Sequence, residues 1–488
     1  MPPVLPTAEV VALEKAAFAR GVEPWSLMLE AGRQIAEAVR QFCPKPASAL
    51  AFVGKGNNGG DALVALKFLF DAGWQIDWDL TFSPEQMSPL AYRALEILLR
   101  ETSRAPVAPH VILDGLLGAG ATGNLRSPIQ EKVLEINELR RDTGAIVFAL
   151  DLPSGIEGEY VTEAVMADHT LAIGFAKETL LRDKATNNVG RLSVLPLNDL
   201  VAPTADRDEV STAADLRALL PPRGFDVHKG DVGRVGIVAG SFGTAGAAVL
   251  ATNGALRAGA GLVTAFCPSG IHPTLAPMMS PEVMLQPWEP DMAAIAKGNF
   301  DALAIGPGLS PEFSDQAAQL LRAVRVPVVL DAGALTILAK QTGLLEEMQV
   351  PILLTPHPGE MERLFPRNER SRRDWAKDFV AAQKPRTTVL LKGARTVIVE
   401  SDKAAAFNPA GHPGMATGGM GDTLTGVCSA LIGQGLSVFD AARVGAWVCG
   451  RAAEIAVWED GFSQESLLPS DVALRLGRAF ADLRRGVF

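Results

Sequence analysis

Cysteine is scarce. Four of 488 residues, Cys43, Cys267, Cys428 and Cys449, lie far apart and form no CxxC pair. That spacing excludes a disulfide framework and a cysteine-based zinc site, and it points to buried thiols in a reducing cytoplasm. Runs of one charge are missing too. The chain carries 45 basic and 55 acidic residues, a net charge of −10, and no basic cluster stands out, so no nucleic-acid partner is expected. No uninterrupted apolar span reaches the ~18 residues that cross a bilayer, so no membrane partner is expected either. The stretch from Ala245 to Phe266 comes closest, but Asn253 and Arg257 interrupt it. The opening MPPVLPTAEVVALEK has neither the basic nor the apolar segment of a signal peptide. A Walker A pattern is absent as well, which excludes a P-loop.

What is present is enough apolar residue, 48%, for full-sized cores. At roughly 150 residues per domain, the length predicts two to four domains. The seam falls in Pro196 to Pro222, rich in Pro and Asp and poorly patterned until Ser211, which is expected to cap a helix over Ala213 to Leu220. The expected domains are therefore 1–210 and 211–488. With no long low-complexity linker, the two are expected to pack together.

In the first half, Thr7 is expected to cap a short helix that Gly21 ends, and Pro24 opens a second. Trp25, Met28, Leu29, Gly32, Ile35, Ala36 and Val39 there follow the spacing of a helix packed on one face. Strands are expected at Ala49–Val53, Gln75–Leu80, His110–Leu113, Ala145–Leu150 and His169–Gly174, with a helix from Ala62. Alternating β and α implies a parallel sheet covered on both faces. Three polar loops then follow three strands: Asn57, Asn58 and Asp61; Asp114 with the glycine loop 115–123; and Asp151, Pro153 and Ser154. Ligands bind at the carboxyl ends of such strands, so these loops should converge on one pocket. Clustered carboxylate, amide and hydroxyl oxygens suit a hard cation, and a carboxylate among them can transfer protons.

A competing reading rests on Gly54, Gly56 and Gly59, a GxGxxG after a strand, with Asp77 and Asp79 about 20 residues on where a ribose-binding acid would sit. Against it, Asn57, Asn58 and Asp61 bring side-chain oxygens toward where phosphate oxygens would lie.

The second half repeats the β/α pattern. Strands are expected at Val235–Ala239, Leu262–Phe266, Ala302–Ile305, Val328–Leu330, Ile352–Thr355, Thr388–Leu391 and Thr396–Val399, with an alanine-rich helix from Ala245 to Arg257. Its most informative stretch is MATGGMGDTLTG, Met415 to Gly426. Gly418, Gly419 and Gly421 uncover backbone N–H groups before an apolar helix, which makes an anion site. Asp422 beside it fits a base that takes a proton from a hydroxyl attacking a phosphate. Taken alone, the same segment reads as a flexible loop and an Asp N-cap. Lys392-Gly393-Ala394-Arg395-Thr396 offers a cation and amides suited to a nucleotide. His357 between two prolines is equally a locally bonded turn residue, Lys392 a solvated strand end, and Asp331 a helix cap.

The first half resembles the NAD(P)HX epimerase domain, through LMLEAGR (27–33), GKGNNGGD (54–61), LDGLLGAG (113–120) and LDLPSG (150–155). The resemblance implies a Rossmann-like doubly wound sheet. It implies potassium held by Asn58, Asp114 and Ser154, and substrate held by Asn57, Asn58, Gly59, Gly60 and Asp61 with Gly118, Ala119, Gly120, Ala121, Thr122, Gly123 and Asn124. Asp151 would be the acid–base. Ala62 replaces a usual glycine, which narrows the helix entry. The sequence GATGNLRSP is also looser than usual. Domains of this fold also serve as non-catalytic modules.

The second half, from about Asp226 to Val457, resembles the ADP/ATP-dependent NAD(P)HX dehydratases of the ribokinase-like superfamily. The matching pieces are HKGDVGR, RAGAGLVT, IGPGL, TPHPGE, LKGARTV and NPAGHPGMATGGMGDTLTG. The resemblance implies a ribokinase-like α/β fold, with Asp422 as base, Gly421 and Lys392 to Thr396 holding the nucleotide, and Ala247, Gly308 and His357 lining the hydrate site. Gly333 departs from the usual DADAL and weakens one loop. The implied activity is repair of hydrated NADH and NADPH: the first half interconverts the R and S hydrates, and the second dehydrates the S form with ADP or ATP, magnesium accompanying the nucleotide. A cytoplasmic homo-oligomer is implied. The alternatives are a ribokinase-type small-molecule kinase fused to a non-catalytic module, and a nucleotide-sensing scaffold without turnover.

Overall fold

A computed structural model describes residues 2–105, 108–121, 123–157, 163–202, 207–288, 291–341, 343–383 and 386–487. The chain divides into two compact units, one running to Thr212 and the other Ala213–Val487.

The first unit is built on six parallel strands in the order Gln75–Leu80, Ser48–Val53, Val111–Gly115, Ile146–Leu150, His169–Ile173, Arg191–Leu195. Val111 to Gly115 and Val147 to Leu150 are wholly buried, as strands covered on both faces require. The register pairs Phe52 with Asp114 and Asp114 with Ala149, so three neighbouring strands end together and their loops leave from one edge. Helix Pro24–Phe42 crosses helix Asn57–Asp71 at Gly32, where an added β-carbon would lie 2.4 Å from Val64 Cγ1. Val4–Leu5 pairs in parallel with Ala176–Lys177 as a separate two-stranded sheet.

Three expectations about local structure fail here. The helix expected from Ala62 begins at Asn57, so Asn57, Asn58 and Asp61 stand on its first turns rather than in a loop. Thr7 is the first residue of helix Thr7–Ala19, not its cap; its hydroxyl donates to Glu157 Oε1 at 2.6 Å. Ser211 caps nothing: helix Ala213–Leu216 passes at once into the 3-10 turn Arg217–Leu219.

From Arg234 onward, nine strands run in the order Val283–Pro287, Leu262–Cys267, Arg234–Val238, Ala302–Ile305, Val328–Leu330, Ile352–Leu354, Thr387–Leu391, Val397–Glu400, Ala406–Phe407. The first seven are parallel, and the last two pairings are antiparallel. Only a short loop separates Leu391 from Val397, too few residues for a crossover, so Val397–Glu400 returns as a hairpin. Gly393 (φ 139°) and Arg395 (φ 57°) make that turn. Helices Ala245–Arg257 and Met420–Gly433 lie almost backbone to backbone. A β-carbon on Gly426 would fall 1.9 Å from the Ala251 carbonyl oxygen, and one on Gly254 would fall 2.4 Å from that of Thr423. Small residues there set the depth at which the glycine-led helix sits. The apolar face of that helix, with Val427, Cys428 and Leu431, enters the core of the unit.

Candidate functional site

In the first unit, Asp114 ends its strand fully buried. Its Oδ1 accepts the Ser154 hydroxyl at 2.7 Å and the Leu116 amide at 3.2 Å, and its Oδ2 accepts the Ser154 amide at 2.8 Å. Ser154 Oγ in turn accepts the Leu117 amide at 3.0 Å, and the Leu117 carbonyl accepts Asn58 Nδ2 at 2.9 Å. Asn58 Oδ1 is buried with no hydrogen-bond partner. Burial pushes the Asp114 carboxyl up to about 6, against the opposing pull of the Ser154 and Leu116 donors. A buried carboxylate beside an orphaned amide oxygen and a hydroxyl is an oxygen donor set suited to a cation.

Asp151 adopts φ 67°, left-handed backbone that few non-glycine residues tolerate, and this turns its side chain toward the glycine loop. Its Oδ2 accepts the Ala119 amide at 2.8 Å and its Oδ1 accepts the Ile173 amide at 3.3 Å. Gly118 lies between: a β-carbon there would come within 3.3 Å of both Asn58 and Asp151 Oδ2. Gly118 and Ala119 thus lie alongside Asp151, Ala121 closes the turn by donating its amide to the Gly118 carbonyl at 3.0 Å past Gly120, Gly123 turns at φ 83° before Asn124, and Thr122 lies outside the described residues. Asn57 Oδ1 accepts the Ser88 hydroxyl at 3.0 Å. Burial pushes the Asp61 carboxyl well above the usual range, with Asp151 and then Glu14 adding to it.

The glycines of GxGxxG have another use. A β-carbon on Gly54 would lie 2.0 Å from the Leu116 carbonyl oxygen, and one on Gly59 2.1 Å from that of Gly54. They let the loop pack on itself and on the next loop. Asp77 is paired with Arg104, and Asp79 holds Lys132 Nζ at 2.9 Å. The dinucleotide reading therefore loses its ribose acid. Ala62 is fully buried in a regular helix, facing Gly115, which lacks the side chain that would collide with it.

In the second unit, Gly419 (φ 96°) occupies the N-cap of helix Met420–Gly433, which puts Gly421 and Asp422 on its first turn. Asp422 is therefore not the cap. Burial raises its carboxyl to about 7, with Asp331 and Glu360 adding to the rise and Lys392 opposing it. Lys392 Nζ stands 2.8 Å from Asp331 Oδ1 and 3.8 Å from Glu360 Oε2. Asp331 Oδ2 accepts the Thr425 hydroxyl at 2.9 Å. Lys392 is thus no solvated strand end, nor is Asp331 a simple cap. His357, by contrast, does cap: its Nδ1 accepts the Gly359 and Glu360 amides at 3.0 and 3.3 Å, while Glu360 Oε2 accepts the His357 amide at 2.8 Å. Ala247 and Gly308 are neighbours, since a β-carbon on Gly308 would lie 2.9 Å from Ala247 Cβ. Gly333 packs on the Leu309 carbonyl, where a β-carbon would meet oxygen at 2.3 Å, so the glycine here serves close packing of the backbone. In the hairpin, Arg372 donates to the Lys392 carbonyl at 2.8 Å and to that of Ala394, and Thr396 Oγ1 donates to Gly393 O at 2.9 Å.

Sequence reasoning missed Lys177, Glu14 and Arg372. Lys177 bonds Asp151 Oδ1 from a fully buried position. Burial raises the Glu14 carboxyl, Asp151 adds to the rise, and Lys177 opposes it. None of the three sits in a glycine loop or at a spacing that announces a site.

Comparison with known proteins covers both units. Residues 235–473 match the family model described as NAD(P)H-hydrate dehydratase, and residues 25–179 match that of the YjeF-related protein N-terminus. A protein of Moorella thermoacetica named bifunctional NAD(P)H-hydrate repair enzyme is 36% identical over 505 residues, covering 95% of this chain and 94% of its own length. An Escherichia coli protein of the same name is 33% identical, covering 95% of this chain and 91% of its own. Among solved structures, a hypothetical protein of Streptococcus mutans shares the fold of 56% of this chain (99% of its own) with a TM-score of 0.51 at 24% identity.

Proposed function

The chain belongs to the family of bifunctional NAD(P)H-hydrate repair enzymes, and from that premise we propose that it returns hydrated NADH and NADPH to use through two sites. The second unit is the dehydratase, a lyase that works through a kinase-like step. Asp422 takes the proton of the hydrate's hydroxyl, the freed oxygen attacks the terminal phosphorus of ADP and displaces AMP, and the phosphate ester then loses phosphate while the adjacent ring carbon gives up a proton to water, restoring the ring double bond. Hydroxide is a poor leaving group and phosphate a good one, which is why a phosphoryl donor is needed. The amides of Gly418 to Gly421 at the helix start stabilise the transferring group, as an oxyanion hole does. Lys392 faces the phosphates, the rest of the hairpin to Thr396 holds the nucleotide, and Ala247, Gly308 and His357 border the hydrate. ADP is the proposed donor. Magnesium would arrive with the nucleotide.

The first unit is the epimerase, an isomerase with Asp151 as acid–base and the Asn57–Asp61 and Gly118–Asn124 segments around the hydrate. Potassium would be held by Asn58 Oδ1, Asp114 and Ser154, where it would supply a fixed positive charge. The orphaned Asn58 oxygen supports that assignment. We propose a cytoplasmic homo-oligomer; four buried free cysteines accord with a reducing compartment. No helix among the described residues is long and apolar enough to cross a membrane.

The observation that carries the dehydratase reading is Asp422, raised to about 7 on the first turn of a glycine-led helix beside Lys392. The test is recovery of NADH absorbance from the S hydrate with ADP, with ATP and with neither, followed by the R hydrate under the better condition. Nucleotide-dependent recovery from S, and from R faster than spontaneous epimerisation, is expected. Phosphoryl transfer to another alcohol without recovery would move the second unit to a small-molecule kinase.

A further inference from the structure

Lys177 is wholly buried, and the proposed chemistry leaves it without a task. Its ammonium donates to Asp151 Oδ1 and, at 2.8 Å, to the Ile173 carbonyl. Ile173 also donates its own amide to that same Asp151 oxygen at 3.3 Å. With the Ala119 amide on Oδ2, each oxygen of Asp151 has a fixed donor. The residue is thereby tied to the strand His169–Ile173, to the glycine loop and to Lys177 at once. Lys177 is itself fixed by the pairing of Ala176–Lys177 with Val4–Leu5, directly ahead of the helix that carries Glu14. Two further carboxyls, Asp61 and Glu14, act electrostatically on this cluster. Three carboxyls thus share the neighbourhood of a single ammonium. A structural ion pair alone does not require this arrangement. Burying a lysine carries a desolvation cost that a methionine would avoid, yet this one is aimed at the residue to which the epimerase reading assigns the proton.

We propose that Lys177 is the positioning residue of the epimerase site: its ammonium, fixed between Asp151 and the Ile173 carbonyl, holds the Asp151 carboxylate in its reactive orientation against the neighbouring Asp61 and Glu14 carboxyls. Lys177 acts through Asp151 and does not itself exchange a proton with the hydrate. The proposal rests on the epimerase reading of the first unit.

The test uses the full chain, so that the dehydratase of the same molecule serves as the reference activity. Lys177→Met and Lys177→Ala are compared with the parent for conversion of the R hydrate, with nucleotide in excess. Removing the ammonium is expected to lower kcat for epimerisation ~100-fold or more, the scale of a lost acid–base group. KM should stay within about threefold, well inside one decade of binding, and S-hydrate dehydration should be unchanged. Added methylamine or ethylamine is expected to restore part of kcat in Lys177→Ala, saturably with amine concentration. Epimerisation within twofold of the parent would overturn the proposal. So would loss that no amine restores, or loss accompanied by a collapsed thermal transition of the first unit, because either assigns the lysine a purely structural role. A parent that does not interconvert the epimers overturns the epimerase reading itself, a result visible before any variant is made.

Discussion

The Lys392 ammonium stands 2.8 Å from Asp331 Oδ1 and directly behind Gly421, where an added β-carbon would come within 2.9 Å of Nζ. The lysine and the glycine-led helix start therefore form one surface, with a cation and exposed amides side by side. Gly421→Ala should displace the tip of a flexible side chain and leave the fold intact. The expected outcome is a nucleotide KM raised ~10-fold or more, the scale of one weakened hydrogen bond to a charged group. The unfolding temperature should be little changed. Initial rates at varied ADP, with a thermal melt of the same preparation, check both halves of that statement.

Much of this surface was legible in the sequence, because its parts are runs: GGMGD, LKGART and TPHPGE each keep their chemistry within a few residues. The sheet order was legible only in outline. Both strands on either side of the turn after Leu391 were read, but the strands Arg191–Leu195, Val283–Pro287 and Ala406–Phe407 escaped; the last is two residues long and Val283–Pro287 is partly exposed, and such strands carry weak patterns. The helix start was misplaced from Asn57 to Ala62 because GNNGG is a poor helix former read locally. Packing of Gly32, Gly54 and Gly59 against their neighbours overrides that propensity. Lys177 and Glu14 were invisible for a different reason. Each comes to Asp151 from another element, Lys177 from just beyond the strand His169–Ile173 and Glu14 from the helix that follows Val4–Leu5, which pairs with Ala176–Lys177.

Asp422 is expected to govern the acid side of the dehydratase pH profile. A base works deprotonated, so kcat/KM should rise with pH and level off above about 7, the value to which burial raises this carboxyl. Asp422→Asn should lower the rate ~10²- to 10⁴-fold and abolish that limb. The stability sign follows from the same shift. A folded carboxyl raised above 3.8 favours the fold while protonated, so its contribution is present below 3.8 and lost as pH rises through about 7. Urea titrations of parent and Asp422→Asn at pH 5 and pH 8 should diverge in that direction.

Gly59 tests whether the loop glycines serve packing. A β-carbon there would lie 2.1 Å from the Gly54 carbonyl oxygen, a collision of backbone with backbone that no rotamer relieves. Gly59→Ala should shift the Asn57–Asp61 turn by a fraction of an ångström or more. Epimerisation is expected to fall on the order of 100-fold, as misplaced substrate contacts do, with S-hydrate dehydration retained. Gly56 has nothing within 4 Å of its added β-carbon, so Gly56→Ala is the matched control and should stay near parent activity.

The oxygen set of Asn58, Asp114 and Ser154 predicts a monovalent-cation effect on the first unit. Transfer from potassium to a choline buffer should lower both epimerisation and that unit's melting transition. The stabilisation at a hundredfold excess over the dissociation constant is about 2.7 kcal/mol. Asp114→Asn removes the buried charge and should make both readouts indifferent to potassium. Equal melting of the parent in potassium and choline would remove the cation from this site.

Arg451 predicts how the glycine loop is supported. Its side chain is 3% exposed, and it meets three acids: Asp482 at 2.8 Å, Glu454 at 3.6 Å and Glu459 in closer contact. The π-helical turn Ile455–Glu459 brings Glu459 within reach. Glu454, fully buried, passes the support onward by accepting the Gly411 amide at 2.8 Å, in the loop that leads to Met415 and the helix Met420–Gly433. Arg451→Met removes the buried cation that the three carboxylates share, although Glu459 keeps Arg478 and Asp482 keeps Arg485, so the loss should be ~3–5 kcal/mol. The dehydratase rate should fall with it, because the loop loses its anchor. Adding Glu454→Gln removes the buried carboxylate charge that Arg451 faced while keeping an acceptor for the Gly411 amide. The double variant should therefore be more stable than Arg451→Met alone, the non-additivity expected of groups in one network. Urea midpoints of the parent, both single variants and the double variant decide it. Simple additivity would mean that Arg451 and Glu454 do not act on each other and that the loop is held by other contacts.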